Sequence, residues 1–566
     1  MRSFDSSRST VVKGERGQLA HRRSYEQVER LARRMYTVRP GVWCLVGNGL
    51  SNQTFVEGPD GIIAIDTGES VQEMRDAIRE LRQFTDRPIV AVLYTHFHYV
   101  SGTTAVFEES GGPVPVHGHE RIALNRSRVS TEIAPAYSRG LVYQFGTSLP
   151  VDGPDGLVSA GLGLYYRNPE HAPFTNGFVK PDSTWVGGEK IVVAGLRIEI
   201  EYAPSDADDS VTIWFPDLSV CVQNIVWPVL FNVFAIRGEE YRDPRVLLRG
   251  VEHVASLQPE YLVTCHGPPI QGSSDIVKRV TRYRDSLQFM WDQTVRALNR
   301  GDTADQIAHA VRLPDFFDDD YLTTEFYGVT EHHVRQIATG LRGWFDGDPS
   351  KLFPLEPTER FTRLVVGFGG RDVVRRIVTE SIEADDLRWA LELATWLSRS
   401  EGSTDDDRGL LAKVLREIGY RSSAANIRNW CLTAARDIDG TNSLDRLRRH
   451  RIREAAVNAG PIAESLDQLR VTLDPVRALG IDHHIGLQIA DDPNPVGLHV
   501  RNCVAVVTDA QGATDHVRTD RATWASILAG RVHFDDAIVT GSLVIEGDAS
   551  RVGASLSVFD LDGLAR

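Results

Sequence analysis

The sequence predicts an α/β protein with three successive textures: a layered α/β domain over residues 1–272, a helical region over 273–440 and a compact α+β unit over 441–566. Three observations carry this expectation. Short apolar runs alternate with turns and helices in the first part, helical periodicity takes over after Gly272, and strand-like runs return beyond Gly460. A chain of 566 residues is too long for one hydrophobic core, and domain-size statistics favour roughly two to four domains.

In the first part, VWCLV, GIIAID, PIVAVLYTH, IVVAG, LRIEIEYA, VTIWFP and EYLVTCHG read as strands. Several end on groups able to do chemistry: Asp66 closes one, Thr95 and His96 another, Cys265 and His266 a third. Loops at strand ends are where such a sheet places its reactive groups. In the second part Ile276, Val280, Tyr283, Leu287, Met290 and Leu298 recur at the spacing of an amphipathic helix. Thr303 followed by Gln306 is a capping signal, and Pro314 stops the next helix. Leu387, Leu391, Ala394 and Leu397 form a further stripe, read as core packing rather than a subunit interface. In the third part HIGLQIAD, PVGLHVRNCVAVVTD and AIVTGSLVIEGD read as strands, with TDRATWASILAG as a helix between the later ones.

Composition narrows the function classes. Apolar residues at 42% and charged residues at 25% are the balance of a soluble globular protein. A net charge of -15 without a basic cluster argues against a nucleic-acid partner. The five cysteines, Cys44, Cys221, Cys265, Cys431 and Cys503, lie far apart with no CxxC pair, and are expected to be reduced and mostly buried. No secretory signal is evident, and no apolar run approaches the roughly 20 residues that span a bilayer, so no membrane span is expected and the cytoplasm is the default compartment.

The strongest local signal lies between Tyr94 and Gly102, in YTHFHYVSG. His96 and His98, at i and i+2 beyond a strand end, can turn toward one cation where the backbone bends, and neutral imidazole is a common zinc ligand. Alone the spacing is weak evidence, because two hydrogen-bonded surface histidines give the same pattern. Its neighbours strengthen it: Asp66 upstream, the acidic turn APSDADDS and the late His266 in VTCHGPP downstream. A second pair, His117 and His119 in VPVHGHE, reads as an exposed pair following a strand, with a replacement metal ligand as the alternative.

This order of strand-end Asp, HxH, acidic turn and late His resembles the metallo-β-lactamase superfamily. The segments LSNQTFVEGPDGIIAIDTG, FGTSLPVDGPDGLVSAGLG, APSDADDSVTIWFPD, FNVFAIRGEEYRD, WFDGDPSKLFPLEP and GYRSSAANIRNWCLTAA resemble one branch of it, the alkyl sulfatases, over nearly the whole chain. The resemblance implies a metal-binding αβ/βα sandwich, a helical dimerisation domain and a sterol-carrier-like C-terminal domain. It implies His96, His98 and Asp206 as catalytic ligands of a first metal, His266 at the position serving a second, and Asn232 and Arg237 as the grip on a sulfate group. A guanidinium fork suits that task, since it matches sulfate oxygens and stays charged. The alternative for Arg237 is a structural ion pair to Asp243 or Glu239. The implied partners are a small-molecule substrate with an anionic head and an apolar part, and a second copy of the chain in a homodimer.

The chain departs from the family at two places. Family members read HxHxDH, whereas Tyr99, Val100 and Ser101 follow the pair here, and Asn224 stands where a bridging carboxylate is expected. These losses fall on the same metal. One ion is therefore expected rather than two, zinc first with iron or manganese open, held by His96, His98 and Asp206 with Asn224 or His266 nearby. Asp208 and Asp209 are candidates for orienting a histidine. Tyr165, Tyr166 and Phe174 are candidate pocket walls, ordinary packing being the simpler reading. Three functions stay open: a metal-dependent hydrolase of an alkyl sulfate or similar anionic ester; a mononuclear lyase, other hydrolase or oxidative enzyme; and a non-catalytic binding protein on the same fold.

Overall fold

The run Gly61–Ile65 is buried along its whole length, as befits a strand covered on both faces. Leu196–Tyr202 instead alternates between buried and more exposed positions, the mark of a strand with one face to a core. These strands belong to two sheets in the computed structural model, which describes residues 7–448 and 452–563. The first sheet runs in chain order through β1 (Arg34–Arg39), β2 (Val42–Val46), β3 (Gln53–Gly58), β4 (Gly61–Ile65), β5 (Ile89–Leu93), β6 (Val116–His119) and β7 (Ser183–Trp185). It is antiparallel as far as β4 and parallel from β4 to β7. The second comprises β8 (Lys190–Val193), β9 (Leu196–Tyr202), β10 (Val211–Phe215), β11 (Val220–Gln223), β12 (Tyr261–Thr264) and β13 (Ile270–Gln271). Only its β11 and β12 pair in parallel.

The sheets meet through one apolar layer, in which Val46, Val56, Ile63, Ile65 and Leu93 face Ile198, Ile200, Ile213, Phe215 and Val222. Each such side chain contributes about 1.5–3 kcal/mol when fully buried. On the outer side of the second sheet, Cys221 and Leu262 share a core with Leu247 and Val251 of the helix Pro244–Ser256. Against the first sheet lies the helix Val71–Leu81, capped by Ser70, whose hydroxyl accepts from the amide of Glu73. Helix, sheet, sheet and helix thus form the expected αβ/βα sandwich.

The helix Ser273–Asn299 buries Ile276, Val280, Tyr283, Leu287 and Met290 in the same core as Trp227, Phe231 and Val251. Its apolar face continues the sandwich, and Val334 and Ile337 of the helix Thr330–Arg342 join it. Thr303 and Gln306 form the anticipated reciprocal cap. A separate core is built by the helices Arg371–Glu383, Leu387–Arg399, Asp405–Arg421 and Ala425–Ile438; Leu387, Ala394 and Leu397 are buried in it and Leu391 packs against it.

By its contacts the chain divides into two units, Met1–Asn125 with Gly140–Asn442, and Arg126–Arg139 with Ser443–Arg566. The second contains a sheet of β14 (His483–Ile489), β15 (Val496–Arg501), β16 (Val504–Asp509), β17 (Asp515–Thr519) and β18 (Leu543–Glu546), in the spatial order β16, β15, β14, β17, β18. Two local readings need correction. PVGLHVRNCVAVVTD is a hairpin rather than one strand, because Asn502 and Cys503 both take positive φ, 48° and 60°, as a two-residue turn demands. Ala537, Ile538 and Val539 are helical, in Phe534–Val539, with Asp535 and Asp536 favouring its first turn. No helix among the described residues is long and apolar enough to cross a membrane. All five cysteines are unpaired, four of them buried.

Candidate metal centre

Asp66 ends β4 with φ 54°, a left-handed conformation that costs about 1–2 kcal/mol for a residue with a Cβ. The turn aims its carboxylate at the end of β5. There it accepts from the Thr95 amide at 2.8 Å, the Thr95 hydroxyl at 2.7 Å and the Cys265 thiol at 3.2 Å. With its one proton committed to Asp66, Thr95 Oγ1 accepts from His96 Nδ1 at 2.8 Å. His96 therefore presents an unprotonated Nε2. Burial lowers its pKa to about 3 and keeps the ring neutral.

His98 follows on the single turn Phe97–Tyr99, its ring edge-on to His96 with centroids 5.0 Å apart. Asp206, from the loop after β9, brings Oδ2 to 2.9 Å from His98 Nδ1 and 3.6 Å from His96 Nε2. Burial works against this carboxylate, but the two imidazoles, the His98 hydrogen bond and the nearby Arg242 outweigh it and hold its pKa well below the usual range. Each of the three residues offers a ligand atom within 4.8 Å of the others. Nε2 of His96 and of His98 are buried without a hydrogen-bond partner. Two imidazoles, each with an orphaned nitrogen, grouped with an ionised carboxylate form a donor set that fits a divalent cation. Asp66, His96 and Cys265 also cluster within 4.8 Å. Burial and the Asp66 carboxylate hold that thiol protonated, so this second group is the support for His96.

Two of the expected ligands have other engagements. Asn224 donates through Nδ2 to Asp206 Oδ1 at 2.5 Å, while its own Oδ1 accepts from Trp227 Nε1 at 3.3 Å. The amide orients Asp206 instead of offering its oxygen to an ion. His266 stands outside the donor group: its Nδ1 lies 2.9 Å from the Leu50 carbonyl and must carry the proton, and its Nε2 accepts from the Tyr99 hydroxyl at 3.4 Å. Tyr99 is buried, its ring 5.1 Å from that of His96 and 5.3 Å from that of His266. It fills the space between the two imidazoles. Val100 is buried and bridged to Gly68, and the Ser101 amide donates to the Gly68 carbonyl.

His117 stacks on Trp185 and His119 on Tyr202, and neither joins a donor group. Asp208 pairs with Arg121 at 2.5 Å and accepts from Asn125 at 2.6 Å. Asp209 is buried, and burial with Asp206 and Asp208 close by raises its pKa well above the usual range. Tyr166 stacks on Phe145 at 4.7 Å, and the Arg167 guanidinium lies over Tyr166 and Phe174, which is packing.

Asn232 is buried, and Arg237 forms an ion pair with Glu239 in which both side chains are nearly buried. Asp243 instead pairs with Arg245 and caps the helix Pro244–Ser256. Sequence reasoning missed Arg242. Its guanidinium donates to the Asn232 carbonyl at 2.6 Å and lies 5.8 Å from the Trp227 ring centroid. Its charge is felt by both His96 and Asp206. The available signal was a second arginine in the segment that carries Arg237.

A sandwich with this donor set at its strand ends is the architecture of the metallo-beta-lactamase superfamily, whose family model matches residues 46–222. The alkyl sulfatase dimerisation model matches 303–440 and the alkyl sulfatase C-terminal model 452–562. A linear primary-alkylsulfatase of Pseudomonas sp. (strain ATCC 19151) is 29% identical over 525 residues, spanning 90% of this chain and 98% of its own. An (R)-specific secondary-alkylsulfatase of Pseudomonas sp. is 26% identical over 547 residues, spanning 93% of this chain and 80% of its own. The structure of a stereoselective inverting sec-alkylsulfatase from Pseudomonas sp. matches with a TM-score of 0.85 at 23% identity, covering 99% of this chain and 93% of that one, and shows the same fold. The chain thus matches the two alkyl sulfatase models over its later segments and is similar to alkylsulfatases over nearly its whole length.

Proposed function

We propose that this protein hydrolyses the sulfate ester of a small organic alcohol with an apolar part, at a centre holding one divalent cation, zinc first. The observation that carries this is the convergence of His96, His98 and Asp206, with two buried imidazole nitrogens unpartnered. When bound, such a cation supplies Lewis acidity, lowering the pKa of water toward about 7 and polarising an ester oxygen. The chain does the rest. Asp66 and Thr95 fix the His96 tautomer, and Asn224 holds one oxygen of Asp206 so that the other faces the histidines. Arg242, with Arg237 and the Asn232 amide, gives the neighbouring surface the positive charge and donors an anionic head requires. Trp227 and Phe231 wall this region with buried rings and limit its water.

A single ion is supported by Tyr99, whose hydroxyl takes the one free nitrogen of His266. Purified protein is expected to carry about one ion per chain by elemental analysis, to release sulfate from an alkyl sulfate, and to lose that activity to a chelator and regain it with zinc. Full metal content without sulfate release from any alkyl or aryl sulfate would overturn the reading.

The homodimer is supported by apolar side chains exposed within the residues that match the dimerisation model: Trp344 is 68% exposed, Phe353 94% and Val366 70%. Large apolar side chains this exposed suit burial against a second copy of the chain. Light scattering after size exclusion should give a dimer that Phe353→Asp shifts toward monomer; a monomeric wild type would refute it.

A further inference from the structure

Two buried polar atoms border Gly328 without a hydrogen-bond partner: Oδ1 of Asn232 and Nε2 of His333. A Cβ placed on Gly328 would lie 2.1 Å from the first and 2.9 Å from the second. Both atoms therefore face one small space, kept open by the missing side chain. His333 accepts through Nδ1 from the Phe234 amide at 3.2 Å. Burial, reinforced by His332 and Arg242, lowers its pKa to about 3, so the ring is neutral. A neutral imidazole that accepts at Nδ1 carries its proton on Nε2. The space thus holds a donor without an acceptor beside an acceptor without a donor, each a destabilising orphan while unmet. His333 is set there by the start of the helix Thr330–Arg342, which Glu325 fixes by accepting from the Thr330 amide at 2.7 Å.

We propose that His333 is a positioning residue for Asn232: its Nε2–H faces the amide oxygen across the space beside Gly328 and, by attraction through that space rather than a direct hydrogen bond, keeps the oxygen turned to it and Nδ2, the donor end, toward the anionic head of the substrate. Rotated the other way, the same amide would point its oxygen at an anion and repel it. The inference rests on the sulfate-ester reading above and adds that the helical region, through one imidazole, tunes the grip on the head group.

The test uses the metal-loaded full chain, with inorganic sulfate as the calorimetric probe and an alkyl sulfate as substrate. His333→Phe is expected to weaken sulfate binding about tenfold and to raise KM by a similar factor while kcat changes less. His333→Gln, whose amide can donate, should recover most of the loss, and metal content by elemental analysis should stay unchanged in both. In an Asn232→Ala background, His333→Phe should have no further effect. Gly328→Ala fills the space while leaving His333 in place, and should weaken sulfate binding as well. Unchanged sulfate binding in His333→Phe, or in Gly328→Ala alone should the former not fold, overturns the assignment, as does an undiminished penalty in the Asn232→Ala background. A wild type that binds no sulfate instead overturns the ester reading, and this use of Asn232 with it.

Discussion

Replacing Asp206 with Ala should abolish metal retention and reduce sulfate release by about a thousandfold or more. Asp206 is the only carboxylate of the set formed with His96 and His98, and so supplies all of its negative charge. Two neutral imidazoles alone hold a divalent cation poorly. Asp206→Asn, nearly identical in shape, should fail almost as badly, because charge rather than volume is removed. Asn224→Ala should be milder. It leaves all three donors in place and loosens only the hydrogen bond that orients the carboxylate, so metal affinity should fall roughly 10- to 100-fold. Elemental analysis and a sulfate-release assay read both quantities. An Asp206→Ala protein that keeps its metal and its rate would show that the cation, if any, is held elsewhere.

Asp407→Ala should lower the free energy of unfolding by about 3–5 kcal/mol, read from urea or thermal melts of the helical region. The Asp407 side chain is fully buried and pairs with Arg371 at 2.6 Å and Arg375 at 2.7 Å. It also accepts from the Thr404 amide at 3.0 Å, completing the cap of the helix Asp405–Arg421. Removing it takes the buried counter-charge from two guanidiniums and loosens a helix start in one step. Asp407→Asn keeps a capping oxygen and should lose less. The neighbouring Arg376–Glu380 pair is more than half exposed on both sides and should contribute less than about 1 kcal/mol, so Glu380→Ala is the control. Equal effects for Asp407 and Glu380 would contradict the buried network.

How much was legible follows from where each constraint originates. His96 and His98 stood out because they follow a strand end at i and i+2, whereas Asp206 was implied by the family resemblance; the structure brings the three together. The layered α/β class was readable because runs like Gly61–Ile65 carry their burial in their composition, and the sandwich itself came from the family resemblance. The engagements of Asn224 and His266 could not be read from the sequence because the orientation of an amide and the tautomer of an imidazole are set by distant partners, Trp227 for the first and Leu50 with Tyr99 for the second. Arg242 escaped notice because an arginine near an acidic stretch looks like a surface charge until its burial is known. In the last part, Asp515–Thr519 pairs as an internal strand although it is largely polar; its alternate residues Asp515, Val517 and Thr519 are buried, and Asp515 is held by His483 and Arg551.

The second unit is assembled from two stretches of chain far apart in sequence. Ser127 donates to Glu464 at 2.9 Å, and Arg470 pairs with Glu132. During synthesis the stretch Arg126–Arg139 leaves the ribosome long before the strands it belongs with, and must wait for them. A polypeptide beginning at Ser443 would lack those partners, so excising the tail by a single cut should give a less stable fragment, and supplying the missing stretch as a peptide should restore it.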